Sequence, residues 1–519
     1  MTPRPRPPRA RPSAGATRAR IALGLGTLAV GAILVAVAIF GDRLLAPSPG
    51  PTASSSPTAT GSPTATPGSP SPPTSSAPPS GEPGALTAFP TAAGYGSASP
   101  GGRGGRVIYV TSLDDRGPGT LREALEAKGP RTVLFRVSGT IDIRNNIDIT
   151  EPFVTIAGQS APGDGVQLRG AMIRVMTSDV IIRYMRLRSG EPTRENPADV
   201  DGLTIHGLNG RVHDVIVDHT TMIWGPDIGG IAILGDVRDV TVQDSIMGEG
   251  LFLSRHPEGI PPGGHGMAAN VTQLERNLPF GRRITFVNNL FTTSNERMPR
   301  FQGPQCVDVV NNVIYDWGTR AAYGNPRSLN LVGNLFRAGP DTIGRRMWEG
   351  QPSTVVPRLF PDAVWMAANV EDGFQVGGPT GDRSVFRDDP ACPLSVQPAD
   401  ARSILAPLME TVGATLPVRD PVDQRIVSNV MERRGGFRNG AGQSGLHPDW
   451  PTLDGGPPLA DDDLDGLPDD WERQFFGSLD RGDPEDSSGD ADSDGWTDLE
   501  EYLNDTDPNV PDRVAEPGG

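Results

Sequence analysis

The 519-residue chain contains little cysteine, and no stripe of basic residues runs along its middle. Cys306 and Cys392 are its two cysteines, which excludes a scaffold built on several disulfides. Outside the cytosol the two can pair; a buried free thiol at Cys306 is the alternative, because this residue opens a strand-like segment. The lack of a basic stripe argues against nucleic acid as a partner.

A strong helical pattern is also absent between residues 284 and 336, where a repeat takes its place. The apolar-alternating octet ITFVNNLF (284–291) returns as VDVVNNVI (307–314) and as LNLVGNLF (329–336), at steps of 23 and 22 residues. This period leaves little room for the crossover helices of a βαβ sheet. It favours a solenoid in which each turn stacks on the last. Earlier octets of the same kind are VIIRYMRL (180–187), VIVDHTTM (215–222) and VTVQDSIM (240–247).

We therefore predict an all-β domain, a right-handed parallel β-helix in which each octet forms a strand. Aligning the octets places Asn289, Asn312 and Asn334 in one column. Their amides can hydrogen-bond along the axis and tolerate a left-handed corner; ordinary loop asparagines are the alternative. Longer steps between octets place insertions near 188–214 and 248–283. In solenoids such insertions lie in loops, often on the binding face.

A helix is predicted in front of the first coils. Thr120 followed by Glu123 is a capping-box pattern, which opens a short helix. Such an N-terminal capping helix can cover the exposed edge of the first coil, which a solenoid must protect.

Composition divides the chain into five segments. Residues 1–20 carry six arginines and no acid, 21–40 are uncharged and apolar, and 41–88 are rich in Pro, Ser and Thr. The first two predict a cytosolic basic segment and a transmembrane anchor, with a cleaved signal peptide as the alternative. The third is an exposed linker. A globular domain, 89–450, and an acidic tail, 451–508, then lie outside the cytosol, secreted or anchored to the cell membrane.

The acidic tail contains two matches to a calcium loop of the EF-hand type. From Asp461 onward there are 16 Asp and 5 Glu against 3 Arg. DDDLDGLPDDWE (461–472) and DADSDGWTDLEE (490–501) place acids at positions 1, 3, 5, 9 and 12 and glycine at position 6. The short spacing resembles dockerin-type or thrombospondin type 3 modules; a disordered acidic tail is the alternative. The predicted ligands are Asp461, Asp463, Asp465, Asp469, Glu472, Asp490, Asp492, Asp494, Asp498 and Glu501.

Five motifs in order carry a resemblance. They are GGRGG, SLDDRGPGTLREAL, TIAGQSAPGDG, VDHTTMIW and RMPR, followed by VGATLPVRDPVDQRIV (412–427). Together they resemble the pectate lyase family of parallel β-helix enzymes, over about residues 89–450. The resemblance implies calcium-dependent β-elimination on an acidic, polygalacturonate-like polysaccharide, by an enzyme that we expect to be a monomer.

The resemblance also implies an active-site calcium. Asp199 and Asp201 match the first pair of ligands of the family, and Asp227 matches a further ligand; Asp-rich turns are the alternative. Four residues after Asp227, where many relatives have a carboxylate, this chain has Ile231. Glu249 in the next coil is a candidate substitute.

Two arginines match catalytic positions. Arg297 in RMPR corresponds to the proton acceptor of the family, and Arg300 to a substrate-binding or structural position; loop-fixing salt bridges are the alternative. An arginine needs an unusual site to act as a base, because it is normally protonated. Relatives have a further arginine two residues after the second one, and this chain has Gln302 at that position. Relatives also have a substrate-binding lysine in the coil near residue 250, where this chain has Gly250, and Arg255 is the nearest cation.

Histidines complete the candidate set. His256 and His265 resemble those of the SKH…HG variant of the family and are candidates to bind or polarise a substrate carboxylate; loop histidines are the alternative. Asp218 and His219 are adjacent, and we expect them to support the coil rather than to catalyse.

Two other functions remain open. GGHG (263–266) is similar to an element of polygalacturonases, but hydrolysis needs paired carboxylates, and no Asp-Asp pair is evident in the coils between 200 and 260. A non-catalytic glycan-binding surface protein is the third possibility, since several expected ligands are replaced.

Overall fold

The computed structural model describes residues 86–512, apart from 192–198, 260–263, 274–281, 304–305, 351–362, 374–379, 381–382 and 480–487. The predictions for residues 1–20 and 21–40, and for the linker up to residue 85, lie outside the described residues. The described part of the chain belongs to one compact unit, Ser76–Gly519. Among its helices none has both the length and the apolar character needed to cross a membrane.

Short strands make up most of the described chain. They are β1 (Arg106–Val110), β2 (Arg131–Phe135), β3 (Gly139–Asp142), β4 (Ile147–Ile149), β5 (Val154–Ala157), β6 (Val166–Arg169), β7 (Ile173–Val175), β8 (Val180–Arg183), β9 (Arg186–Arg188), β10 (Leu203–Asp218), β11 (Thr221–Ile223), β12 (Ile228–Gln243), β13 (Ile246–Gly248), β14 (Met267–Thr272), β15 (Arg283–Val287), β16 (Leu290–Ser294), β17 (Arg300–Gln302), β18 (Cys306–Val310), β19 (Val313–Trp317), β20 (Ala322–Asn325), β21 (Ser328–Val332), β22 (Leu335–Arg337), β23 (Trp348–Gly350), β24 (Ala363–Ala367), β25 (Val370–Asp372) and β26 (Phe386–Arg387). The helices are α1 (Leu121–Glu126), α2 (Leu405–Thr411), α3 (Pro421–Glu432), α4 (Asp469–Phe475) and α5 (Asp498–Asn504).

The strands pair in parallel and form three ladders. The first ladder runs β1-β2-β5-β8-β10-β12-β15-β18-β21-β24-β26. The second runs β4-β7-β10-β12-β14-β17-β20-β23, so that the long strands β10 and β12 contribute to both. The third runs β3-β6-β9-β11-β13-β16-β19-β22-β25. Each coil therefore contributes to three faces, and the predicted parallel β-helix architecture is confirmed.

Each predicted octet is two strands rather than one. Residues 284–291 form most of β15 and the start of β16, and the chain turns between them onto a different ladder. The turn occurs because Asn288 and Asn311 adopt left-handed backbone, with φ of 53° and 54°, and Gly333 does so at 65°. The alternation of the octet continues through this corner, which made it resemble one straight strand.

A row of stacked amides lines this corner. Asn289 donates from Nδ2 to Oδ1 of Asn312 at 3.0 Å, and Asn312 donates in the same way to Asn334 at 3.0 Å. The predicted column is thus confirmed, and it continues to Asn369, whose Oδ1 accepts from Asn334 at 3.0 Å. The left-handed residue is the one before each ladder asparagine in these coils, which corrects the expectation that the ladder residues themselves occupy that conformation.

Replacing Asn312 by alanine is expected to lower the free energy of unfolding by about 3 kcal/mol, because buried donors and acceptors on both neighbouring coils lose their partner. Asn312 is fully buried and also donates to the carbonyl oxygen of Phe286 at 2.9 Å. Urea unfolding measures the change. The exposed Asn288→Asp is the matched control, with an expected change below about 0.5 kcal/mol; equal losses in both variants would contradict a role for the amide row.

Helix α1 forms where the capping-box pattern predicts it. The Thr120 side chain accepts from the Glu123 backbone N–H at 3.3 Å, while the Glu123 carboxylate accepts from Gly119 instead of from Thr120. Leu121 and Leu125 are buried in the same core as the first coils. A role of this helix as the cap of the solenoid stays a prediction.

The two cysteines form a disulfide. Cys306 opens β18, and Cys392 lies in the segment after β26, so the bond fastens that segment to the first ladder. Asn330 on the next coil donates to the carbonyl oxygen of Cys392 at 2.9 Å. Of the two alternatives left open by the sequence, pairing is the one observed.

Candidate active site

Four candidate residues lie at the entry to the second ladder on successive coils. Asp201 precedes β10, Asp227 precedes β12, His265 precedes β14 and Arg297 precedes β17. The strands that follow them pair directly with one another, as β10 with β12, β12 with β14, and β14 with β17. Neighbouring parallel strands lie about 4.8 Å apart, so these side chains form a column, which we call the site column.

Asp201 is the most deeply buried carboxylate of the site column, with 5% of its surface exposed. It accepts from the Thr204 hydroxyl at 2.6 Å and from the Ile228 backbone N–H at 3.1 Å. Burial, and next the charge of Asp227, raise the pKa of Asp201 to about 7. Two carboxylates on adjacent coils therefore repel each other here, a pairing that the sequence interpretation did not find.

Asp227 is partly open and faces two histidines. Its Oδ1 lies 3.8 Å from Nε2 of His265 and 3.9 Å from Nε2 of His256. Burial raises the pKa of Asp227, Arg297 and His256 oppose that shift, and the carboxylates of Asp199 and Glu258 reinforce it. The predicted acids Asp199, Asp201 and Asp227 thus share one electrostatic environment with an arginine.

The two histidines stack, with ring centroids 4.2 Å apart. His265 Nδ1 lies 3.2 Å from the carbonyl oxygen of Pro226, which places the proton of the neutral ring on Nδ1 and leaves Nε2 as an acceptor. His256 Nδ1 accepts from the Glu258 N–H, so its neutral ring carries the proton on Nε2. Burial, helped by His256 and Arg297, lowers the pKa of His265 to about 3, so this ring is neutral at ordinary pH. The pair therefore presents one acceptor, Nε2 of His265, and one donor, the Nε2–H group of His256.

Arg297 and Arg300 are half-buried. Within the described residues neither has a carboxylate at ion-pair distance, and the Nε atom of each is buried without a hydrogen bond. Burial, and then the charge of Arg297, lower the pKa of Arg300, whose guanidinium lies 5.9 Å from the ring of Tyr323. Arg297 itself has left-handed backbone, φ 60°, at the corner before β17. The salt-bridge alternative for these arginines is not supported.

Two further candidates have other partners. Arg255 is half exposed, and its Nε lies 3.8 Å from Glu191, outside the site column. Glu249 accepts from Arg425 of α3 at 2.5 and 2.8 Å and from the Trp224 indole at 2.8 Å, so both of its oxygens are engaged. The suggestion that Glu249 replaces a missing calcium ligand is therefore not supported. The acid that does approach the column is Glu258, which the sequence analysis did not single out.

Asp218 and His219 support the coil, as expected. The Asp218 carboxylate is fully buried between His219 Nδ1 at 2.9 Å and Arg183 Nε at 2.8 Å, and it accepts from Gln243 at 2.9 Å. His219 stacks on Tyr184, with centroids 4.9 Å apart. These contacts join neighbouring coils and leave the pair inside the structure.

Replacing Arg425 by methionine is expected to cost about 3 kcal/mol of unfolding free energy, because it leaves Glu249 as a poorly compensated buried charge. Burial alone would raise the pKa of Glu249, but Arg425 and Arg438 outweigh it and hold the pKa at about 2, against 4.5 for a free glutamate. The folded-state pKa is depressed, so this stabilisation is present above pH 4.5 and is lost as the pH falls towards 2.

Urea titrations of Arg425→Met between pH 7 and pH 3 measure this effect. The difference from the natural protein should shrink as the pH falls. Arg434→Met removes the exposed pair of Arg434 with Glu432 near the end of α3 and is expected to cost under about 0.5 kcal/mol. A difference for Arg425→Met that stays constant with pH would contradict the assignment to Glu249.

Comparison with other proteins finds relatives that are named pectate lyases. No family model matches the chain. Probable pectate lyase C of Aspergillus fumigatus is 32% identical over 409 residues, which cover 75% of this chain and 88% of that protein. The same enzyme of Emericella nidulans is 33% identical over 408 residues, covering 75% and 86%. The chain belongs to the pectate lyase family. It is a polysaccharide lyase, and the hydrolytic alternative is not supported.

Two solved structures that match the chain have lower sequence identity. The major cedar pollen allergen Jun a 1 is 18% identical with a TM-score of 0.45, over 62% of the lyase and 92% of the allergen. Pectate lyase II from Xanthomonas campestris is 16% identical with a TM-score of 0.40, over 63% and 99%.

Proposed function

We propose that this lyase cleaves pectate or a related acidic polysaccharide by calcium-dependent β-elimination in the site column. The observation that carries the proposal is the meeting of buried carboxylates, a neutral histidine and two unpaired arginines on four successive coils. An anionic sugar chain is a suitable ligand for such arginines, because their guanidinium groups lack a described carboxylate partner.

A cation fits the carboxylates. Burial, and next the charge of Asp227, raise the pKa of Asp201, while burial raises the pKa of Asp227 and the carboxylates of Asp199 and Glu258 reinforce that shift. Asp199, Asp201 and Asp227 would hold calcium, with Glu258 as a fourth acid that the sequence interpretation missed. Bound calcium supplies positive charge next to the uronate carboxylate, where negative charge builds up during proton removal.

The residues of the chain then have separate tasks. Arg297 in its neutral form takes the proton from C5, the electrons of that C–H bond form a double bond to C4, and the C4–O bond breaks. The leaving oxygen takes a proton from water, and the hydroxide that remains takes the proton back from Arg297, which restores the base. Arg300 donates to the sugar carboxylate and stabilises the enolate-like intermediate. The His265 acceptor and the His256 donor orient hydroxyl and carboxylate groups of the substrate, and Arg255 provides a further cation at the loop rim.

Incubation with polygalacturonate and calcium tests the reaction. Elimination gives products that absorb in the ultraviolet because they contain a conjugated double bond, and a defined uronate oligomer yields fragments whose summed mass equals that of the substrate. Hydrolysis would add one water and no absorbance. If no uronate polymer gives the absorbance, the substrate assignment fails; binding without turnover, retained in Arg297→Ala, would favour a glycan-binding protein.

The acidic tail is suited to calcium as well. Glu472 and Glu501 are almost fully buried, and within the described residues neither carboxylate oxygen of either has a hydrogen-bond partner. Burial, followed by the neighbouring loop acids, raises the pKa of each to about 8. Buried charges normally have partners, so a cation at each loop supplies what these glutamates lack. We take the ten predicted loop acids as its ligands.

The site of action is expected to be outside the cytosol, where the enzyme would meet its acidic polysaccharide. The disulfide of Cys306 and Cys392 supports this proposal, because such bonds persist in oxidising compartments. The anchor or signal peptide of residues 21–40 remains a prediction, and so does the monomeric state.

A further inference from the structure

We propose that the acidic tail is a cation-locked clamp on the first coils of its own β-helix, and that this surface, rather than a second protein, is its binding partner. The inference depends on the proposal that the tail loops bind calcium. It adds that the cation controls how firmly the N-terminal coils are held.

An apolar surface of the tail lies against the first ladder. Leu467 and Leu499 are buried, at 0% and 5% exposure, and pack with Leu134 of β2 and Ala157 of β5. The partly buried side chains that complete this cluster come from both sides, namely Val107, Tyr109, Trp471, Tyr502 and Leu503. The tail helices therefore use their apolar face inside the molecule, which leaves that face closed to another protein.

Polar contacts reinforce the same surface. Glu500 of α5 accepts from Arg103 Nε at 2.7 and 2.9 Å. Asn504 accepts from Arg183 of β8 at 2.6 Å. The Tyr109 hydroxyl of β1 donates to Asp461.

Some residues of the two predicted calcium loops also contact the rest of the protein. In a loop of this type the seventh residue binds the cation through its backbone carbonyl. The seventh residues here are Leu467 and Trp496, both with under 2% exposure; Leu467 packs on the first ladder, and the Trp496 indole donates to the Thr87 carbonyl at 3.1 Å. Asp461, the first residue of its loop, is also the acceptor of Tyr109. A cation that closes a loop therefore fixes the side chain that holds the clamp.

Removal of the cation is expected to loosen the clamp. The loop acids then repel one another, and the buried Glu472 and Glu501 favour opening towards water. Because binding to the closed form alone stabilises that form, cation at a hundred times its dissociation constant lowers the population of the open clamp about 100-fold at each loop.

Hydrogen exchange of the full-length protein tests the clamp. In calcium chelator, exchange in β1, β2 and β5 should rise at least about tenfold relative to calcium, whereas β18 to β22 should change little. In the double variant Glu472→Gln/Glu501→Gln, which lacks both cation-binding glutamates, exchange in these strands should be the same in calcium as in chelator. The matched control Asp505→Asn changes a tail acid outside both loops, at a left-handed position that suits asparagine, and should retain the calcium response.

Calorimetric calcium titration separates the two proposals. If the double variant and the natural protein release the same calcium-binding heat, the loops are not the cation sites and the premise fails. If the heat is lost in the double variant but exchange in β1, β2 and β5 of the natural protein does not depend on calcium, the loops bind the ion and the clamp is overturned.

The variant Arg103→Gln, which spares every predicted loop ligand, tests the clamp from the other side. It should weaken calcium binding by the tail about threefold to tenfold through reciprocal coupling. An unchanged calcium affinity would also overturn the clamp.

Discussion

Arg297→Lys is expected to lower kcat on polygalacturonate about 1,000-fold while KM changes little. Arg300 is unchanged in this variant, so attraction of the anionic chain persists. Lysine does not retain the rigid planar group of Arg297, which follows a left-handed backbone corner with φ 60°. Initial rates of ultraviolet absorbance at saturating calcium measure the change, and binding of an uncleaved uronate oligomer should remain within about threefold.

Arg211→Lys is the matched control. Arg211 is half exposed and lies 3.5 Å from Asp236, so the same chemical change there should leave both constants unaffected. If Arg297→Lys retains more than about a tenth of the natural kcat, proton transfer by Arg297 is the wrong assignment, since a well-placed base contributes at least about 100-fold.

Asp227→Asn is expected to raise the calcium concentration for half-maximal activity at least about 100-fold, because a neutral amide replaces a charged oxygen ligand next to Asp201. In chelator the variant should be as stable as the natural protein or more so, since it removes the negative charge that acts on the buried Asp201. Thermal unfolding in chelator therefore separates a damaged site from a damaged fold.

Asp199→Asn provides the comparison within the same site. Asp199 is exposed, so water replaces part of its contribution and the calcium requirement should rise only about threefold to tenfold. Rate measurements over a calcium series give both values. An unchanged requirement in Asp227→Asn, or equal shifts in the two variants, would remove Asp227 from the calcium site.

The repeat made the architecture predictable, because three aligned octets with a common asparagine leave few folds that can place them. The corner inside each octet was missed for a physical reason. At Asn288 and Asn311 a single left-handed residue redirects the chain without interrupting the apolar alternation, so the pattern alone cannot distinguish a bent strand pair from a straight strand.

The candidate site was predictable as a set of residues and not as an arrangement. Asp201 and Asp227 lie on adjacent coils, because the strands that follow them pair with each other. The insertions between the octets obscure this spacing in the sequence. Glu249 was misjudged since its partner, Arg425, lies 176 residues away on a helix that packs behind the coil. Glu258 gives no local signal, as an exposed glutamate in a loop resembles any other. The two loop motifs of the tail stand out in the sequence and calcium binding there stays a prediction, whereas the contact of the tail with β1 and β2 had no sequence pattern to reveal it.

The row of stacked amides limits how the number of coils in such a solenoid can change during evolution. Asn289, Asn312 and Asn334 each donate to the asparagine of the following coil. Asn312, Asn334 and Asn369 each accept from the asparagine of the preceding coil. Gene duplication or loss of a whole 22- or 23-residue unit would bring identical groups back into register. The step from Asn334 to Asn369 is 35 residues long and keeps the row intact, so extra residues are accommodated between the strands. The number of coils in this scaffold should therefore change in whole units, whereas the length of its loops can vary freely.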